Sequence, residues 1–240
     1  MNRDMGLTRA IRDVSPEWAD TLYVAITLPG DWLVLVPLLG LLYIRDLIST
    51  VRRSDTDESV STDSTVFLIA TVVGGFALVY LLKAVIGAPR PPEGLQAVSV
   101  ETAAVPSGHT MAATVFWGAL ALWLPAGSRR LRAVVAAGAV TLVGLSRLGL
   151  GVHFLADVLA GVVFGVAYLV VVAWAVRERP ERALICAFGI AAVSVLVTGG
   201  QGRTLLALGG IAGLAISWHT LESKPVRRRL KRSVVPALRW

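Results

Sequence analysis

The sequence predicts an all-α protein, a polytopic bundle of transmembrane helices, and three observations carry that reading. Hydrophobic residues make up 55% of the 240 and charged residues only 16%, which leaves too little polar surface for a water-soluble globule of this length. The apolar residues gather into seven long runs, near 22–48, 66–86, 108–124, 131–150, 154–176, 183–199 and 204–218. The basic residues gather between those runs, as in the loops that a membrane protein keeps on its cytoplasmic side. The net charge of +7 therefore points to lipid headgroups, and no nucleic-acid partner is expected. A lone Cys186 excludes an internal disulfide, and with one cysteine and three scattered histidines no metal–thiolate site is expected.

In chain order, residues 1–20 form an N-terminal interfacial segment, 21–219 the membrane domain and 220–240 a basic tail. The first segment mixes Arg and Asp and lacks the apolar core of a signal peptide, while Leu7, Ile11 and Val14 recur at helical spacing. The first apolar run exceeds the ~20 residues that cross a bilayer and is interrupted at Pro29-Gly30-Asp31. Either the helix kinks there, or the span proper begins near Asp31 with the earlier turns at the interface; Asp31 itself reads as an N-cap. Residues 49–65 read as a polar linker. Pro89, Pro91 and Pro92 end the second run, because each lacks a backbone donor and biases its predecessor away from helix. The following loop to Val105 is long for a membrane bundle, so it is a candidate lid or substrate-contacting segment; Glu93 and Glu101 within it read as solvated. Gly149 and Gly151 break the fourth run so that the chain can reverse, and the Gly161…Gly165 step of the fifth allows a neighbouring helix to approach closely. The sixth and seventh runs, shorter and glycine-rich, form two full spans or a shallow hairpin.

Ionisable residues inside apolar runs are costly and usually functional. His153 and Asp157 stand four apart, which on a helix places imidazole and carboxylate on one face. A carboxylate there accepts a hydrogen bond from one ring nitrogen, fixes the tautomer and leaves the other nitrogen free to attack. Pro106-Ser107-Gly108-His109 precedes an apolar run, so Ser107 reads as an N-cap and the free N–H groups of the next turn as an anion site. Lys83 alone reads as a lysine snorkelling to headgroups. Together with Arg90-Pro91 it reads as one of two cations matched to phosphate oxygens.

These blocks, in this order and spacing, resemble the signature of the type 2 phosphatidic acid phosphatase (PAP2) superfamily, which also contains the vanadium haloperoxidases. Lys83, Arg90, Pro91, Pro106, Ser107, Gly108, His109, Ser146, Arg147, His153 and Asp157 match every fixed position of that pattern. The resemblance covers about residues 66–176; Val105, Leu148 and Leu155 depart from it at positions that bear on packing and substrate fit. It implies a haloperoxidase-related helical core in its membrane-bound, lipid phosphatase form. The roles it implies agree with the residue reading: His153 as nucleophile, Asp157 as its orienting partner, His109 as proton donor and then base. Lys83, Arg90, Ser107, Gly108 and Arg147 would bind the phosphoryl group, with no metal or other cofactor.

The expected activity is thus hydrolysis of a lipid phosphate or isoprenoid pyrophosphate through a phosphohistidine. Phosphoryl transfer from the same histidine to an alcohol is the alternative, and a non-enzymatic transporter is disfavoured because it requires none of these spacings. Seven crossings put the three blocks on one face with seven cations and leave sixteen on the other. The positive-inside rule then turns the site outward and the tail, with Lys224 to Arg239, toward anionic cytoplasmic headgroups.

Overall fold

The computed structural model describes residues 6–53, 62–223 and 225–226, and every regular element among them is helical. Among the described residues nine α-helices follow one another: α1 (Gly6–Val14), α2 (Trp18–Thr27), α3 (Trp32–Arg53), α4 (Asp63–Ile86), α5 (Gly108–Trp123), α6 (Arg129–Gly149), α7 (Leu155–Ala175), α8 (Pro180–Thr198) and α9 (Gly202–Glu222). Among the same residues six helical stretches are long and apolar enough to cross a membrane: residues 18–50, α4, α6, α7, α8 and α9. The chain is a multi-pass membrane protein. At 16 residues α5 is shorter than these, and α4, α6 and α7 pack around it.

The packing follows from the solvent. In lipid an apolar side chain gains little by facing inward, so helix association relies on close contact and interhelical hydrogen bonds. Leu159, Val163, Val166, Val170 and Trp174 of α7 accordingly stay exposed on its outer face. The core runs along α4 and α5, through Phe67, Val72, Met111, Val115 and Phe116, against α8 and α9. Two buried hydroxyls join helices across it: Tyr168 Oη donates to the Thr71 carbonyl (2.7 Å) and Ser194 Oγ to that of Ala77 (3.0 Å).

The first apolar run takes the second of its two expected forms: α2 stops at Thr27, Leu28–Gly30 forms a single 3-10 turn, and α3 begins after Asp31. Helix α3 continues to Arg53, shortening the expected 49–65 linker, because Ser49 Oγ bonds the Asp46 carbonyl instead of breaking the helix. Asp46 also accepts from the backbone and hydroxyl of Thr62, tying the end of α3 to the start of α4. The last two runs are helices of 19 and 21 residues, long enough for full spans. Helix α1 does more than lie at an interface. Thr8 is 1% exposed and donates to the His153 carbonyl (3.0 Å), and Arg12 donates to that of Gly149 (3.0 Å). Arg3, Lys224 and the basic positions from Arg227 onward lie outside the described residues.

Candidate active site

Two chain reversals meet at one end of the bundle. The α4–α5 loop brings Arg90 and leads into Gly108 and His109 at the start of α5, while the end of α6 brings Arg147 and the turn after it His153. The last turn needs Gly151, whose φ of +69° is left-handed and whose missing Cβ leaves room for the Leu95 carbonyl. These residues and Lys83 line a cavity of about 200 Å³, whose other walls include Asp31, Trp32, Phe76, Tyr80, Thr102 and Arg203.

His153 sits at its base, 1% exposed. Its Nδ1 lies 3.3 Å from Asp157 Oδ2, which also accepts the Phe154 N–H (3.0 Å), so the fully buried carboxylate caps α7 and holds the ring at once. Its Nε2 lies 3.3 Å from the Arg90 guanidinium. An arginine only donates, so Nε2 carries the lone pair and Nδ1 the proton, the tautomer a nucleophilic Nε2 requires. Burial, reinforced by the charges of Arg90, Arg147 and Lys83, pushes the imidazole down to about 3 against the opposing pull of Asp157. His153 is therefore neutral at physiological pH.

Backbone carbonyls hold two of the cations. Arg90 donates to the carbonyls of Thr102 (2.6 Å) and Val152 (2.7 Å), and Lys83 to that of Ala103. Burial lowers Arg90 to about 10, still charged at neutral pH. The α4–α5 loop is thus strapped across the site, with Val100 and Thr102 as cavity wall. Arg147, 4% exposed, donates through one terminal nitrogen to Thr27 Oγ1 (3.1 Å), but its buried Nε has no partner. Arg147 lines the cavity together with Lys83, Arg90 and Arg203, and four cations around one space call for an anion.

Two expected residues sit behind the wall. Asp157 acts on the cavity through His153. Ser107 occupies the N-cap position of α5, yet its fully buried hydroxyl meets Thr110 Oγ1 (2.9 Å), and its N–H bonds the Asp157 carbonyl (2.9 Å). Gly108 and His109 do face the cavity. Asp31 is the residue that sequence reasoning undervalued: its Oδ1 caps Leu33 N (2.8 Å) as expected, but its Oδ2 lies 3.4 Å from His109 Nε2. The usable signal was a carboxylate inside an apolar run.

The sequence profile of the PAP2 superfamily matches residues 64–181, the stretch that supplies Lys83, Arg90, Arg147 and both cavity histidines. The chain belongs to the PAP2 superfamily. That membership implies a phosphatase. The fold agrees with it. A crystal structure of a transmembrane PAP2-type phosphatidylglycerolphosphate phosphatase from Bacillus subtilis superposes with a TM-score of 0.58 at 25% identity, over 70% of this chain and 81% of the other. No curated protein gives a significant match. The PAP2 profile starts beyond α1, α2 and α3, so the cavity wall from Asp31 and Trp32 lies outside the matched stretch.

Proposed function

We propose that this membrane protein hydrolyses the phosphate of a lipid phosphate or isoprenoid pyrophosphate through a phosphohistidine at His153, without a metal. The observation that carries the reading is the shared cavity of about 200 Å³, whose lining brings both imidazoles together with Lys83, Arg90 and Arg147. The terminal oxygens bind Lys83, Arg90, Arg147 and the N–H groups of Gly108 and His109, which also stabilise the charge of the transition state. His153 Nε2 attacks phosphorus in line and the bond to the leaving oxygen breaks, while Asp157 stabilises the charge arising on the ring. His109 gives its proton to that oxygen, then takes one from a water that attacks phosphorus and breaks the P–N bond. Inorganic phosphate and the dephosphorylated lipid leave.

A second space supports a lipid substrate. An apolar cleft of about 350 Å³ between α3, α4 and α9 adjoins the first cavity, and both are lined by Trp32, Phe76, Tyr80 and Arg203. A hydrocarbon chain in the cleft leaves its phosphate in the cavity. The cation count supports an extracytoplasmic site and a cytoplasmic tail; reporter fusions to the α4–α5 loop and to the tail test that orientation. Phosphate release from a panel of lipid phosphates and pyrophosphates by purified protein, with and without chelator, tests the activity. His153→Gln and His109→Gln are each expected to abolish lipid turnover in a folded protein. Full activity in either, or strict dependence on magnesium, refutes the assignment.

A further inference from the structure

The PAP2 profile begins at residue 64, but an earlier segment is built into the cavity. Trp117 Nε1 donates to the Pro29 carbonyl (2.9 Å), and Thr27 Oγ1 accepts from Arg147 and from Ser146 Oγ (both 3.1 Å). A Cβ on Gly30 would lie 2.5 Å from the His109 carbonyl oxygen, so only glycine lets this turn approach α5 so closely. Asp31 follows, fixed by its bond to Leu33 N, with its free-facing oxygen toward His109 Nε2.

We propose that Asp31 is the positioning residue of His109, a second carboxylate–imidazole pair facing the His153–Asp157 pair across the phosphoryl site. This rests on the reading of His109 as proton donor and acceptor. A carboxylate that accepts the Nε2–H fixes that proton and makes Nδ1 the nitrogen that exchanges. In the first step the Nδ1 proton passes to the leaving oxygen as its bond to phosphorus breaks. In the second the Nδ1 lone pair takes a proton from water as the water oxygen bonds phosphorus and the bond to His153 breaks. The Nε2–H stays on Asp31 throughout, and His109 ends as the imidazolium it began as. Burial, and then the charges of Arg147 from α6 and Lys83 from α4, oppose a positive charge on this ring. Asp31, from the turn before α3, is the carboxylate that favours it. The 3.4 Å separation is long, as expected for a catalytic contact that tightens when substrate fills the site.

The test uses the full-length protein in lipid–detergent micelles, with an alkyl lipid phosphate and p-nitrophenyl phosphate as substrates. Nitrophenolate leaves without protonation, whereas an alkoxide does not. Asp31→Asn is expected to lower kcat on the alkyl substrate about 10- to 100-fold, a share of what general acid catalysis contributes, and to move the alkaline limb of its pH profile to lower pH. The nitrophenolate burst, which reports attack by His153, should stay within about 3-fold of wild type, since it needs no acid. Asp31→Glu should recover part of the alkyl activity, and in a His109→Gln background Asp31→Asn should leave the nitrophenolate burst unchanged. Equal loss of burst and alkyl turnover, or an unchanged alkyl rate and pH profile, overturns the proposal. Where Asp31→Asn fails to melt cooperatively, Asp31→Glu carries the same comparison. His153→Gln separates the premises: if it retains activity, the reading of the site fails whatever Asp31 does.

Discussion

The contact between α7 and α5 sets the relation of the two cavity histidines, because it joins the helix that follows His153 to the helix that carries His109. Gly161 lies at that contact, where an added Cβ would stand 2.9 Å from the Ser107 carbonyl oxygen and 3.1 Å from Met111 N. Both are backbone atoms and cannot rotate away. Ordinary contact begins at 3.4 Å, so Gly161→Ala must part the helices by about 0.5 Å at the end where Ser107 leads into Gly108 and His109. Overpacking of this kind costs about 1–3 kcal/mol. A misplacement of about 1 Å in a catalytic constellation costs about 100-fold, so half of that predicts a fall in kcat of about 10-fold. Gly165→Ala is the control. Its Cβ would meet Thr114 at 2.8 Å, one turn farther from the site, so it should cost similar stability with little change in kcat. Phosphate release at saturating substrate, paired with thermal unfolding in detergent, measures both. Wild-type kcat in Gly161→Ala, or an equal kcat loss in Gly165→Ala, refutes the reasoning.

Further outcomes follow from the same geometry. The folded-state pKa of His153 lies below its ordinary 6.5, so its burial contributes stability that is complete above about pH 6.5 and is lost as pH falls toward 3. Thermal unfolding of His153→Gln should therefore be less acid-sensitive than wild type across that window, and identical pH profiles contradict the buried neutral ring. Gly210 lines the apolar cleft with open space around it, so Gly210→Leu should raise KM for a long-chain lipid phosphate while leaving p-nitrophenyl phosphate unaffected. An equal effect on both substrates argues against a chain in the cleft. Arg203 stands where cavity and cleft meet, so Arg203→Gln should raise KM more than it lowers kcat; the reverse split would place Arg203 in the chemistry.

The parts of the site that were legible in sequence are those whose chemistry is local. His153 and Asp157 pair across one helical turn, and His109 follows an N-cap, so short spacings encode both arrangements. What was hidden depends on residues far apart in the chain. Asp31 does serve as the cap its position suggests, but its second oxygen meets a histidine 78 positions later, and no periodicity records that. Thr8 is similar: a polar residue on a short amphipathic helix, buried because the His153 carbonyl awaits its hydroxyl. The Ser107 hydroxyl was expected among the phosphate ligands, and the nearby Thr110, whose hydroxyl it meets, could not be weighed as a competitor before the turn was seen. The helix positions were readable from hydropathy, whereas the end of α3 was not, since a polar sequence can continue a helix once it leaves the lipid.

The most direct test of the account is to find the phosphoryl group on the enzyme during turnover. Rapid alkaline quenching of the His109→Gln protein with p-nitrophenyl phosphate, followed by peptide mass spectrometry, is predicted to locate phosphate on His153, with none in a His153→Gln control. Label on a different side chain, or phosphate release at the wild-type rate from His153→Gln, would contradict it.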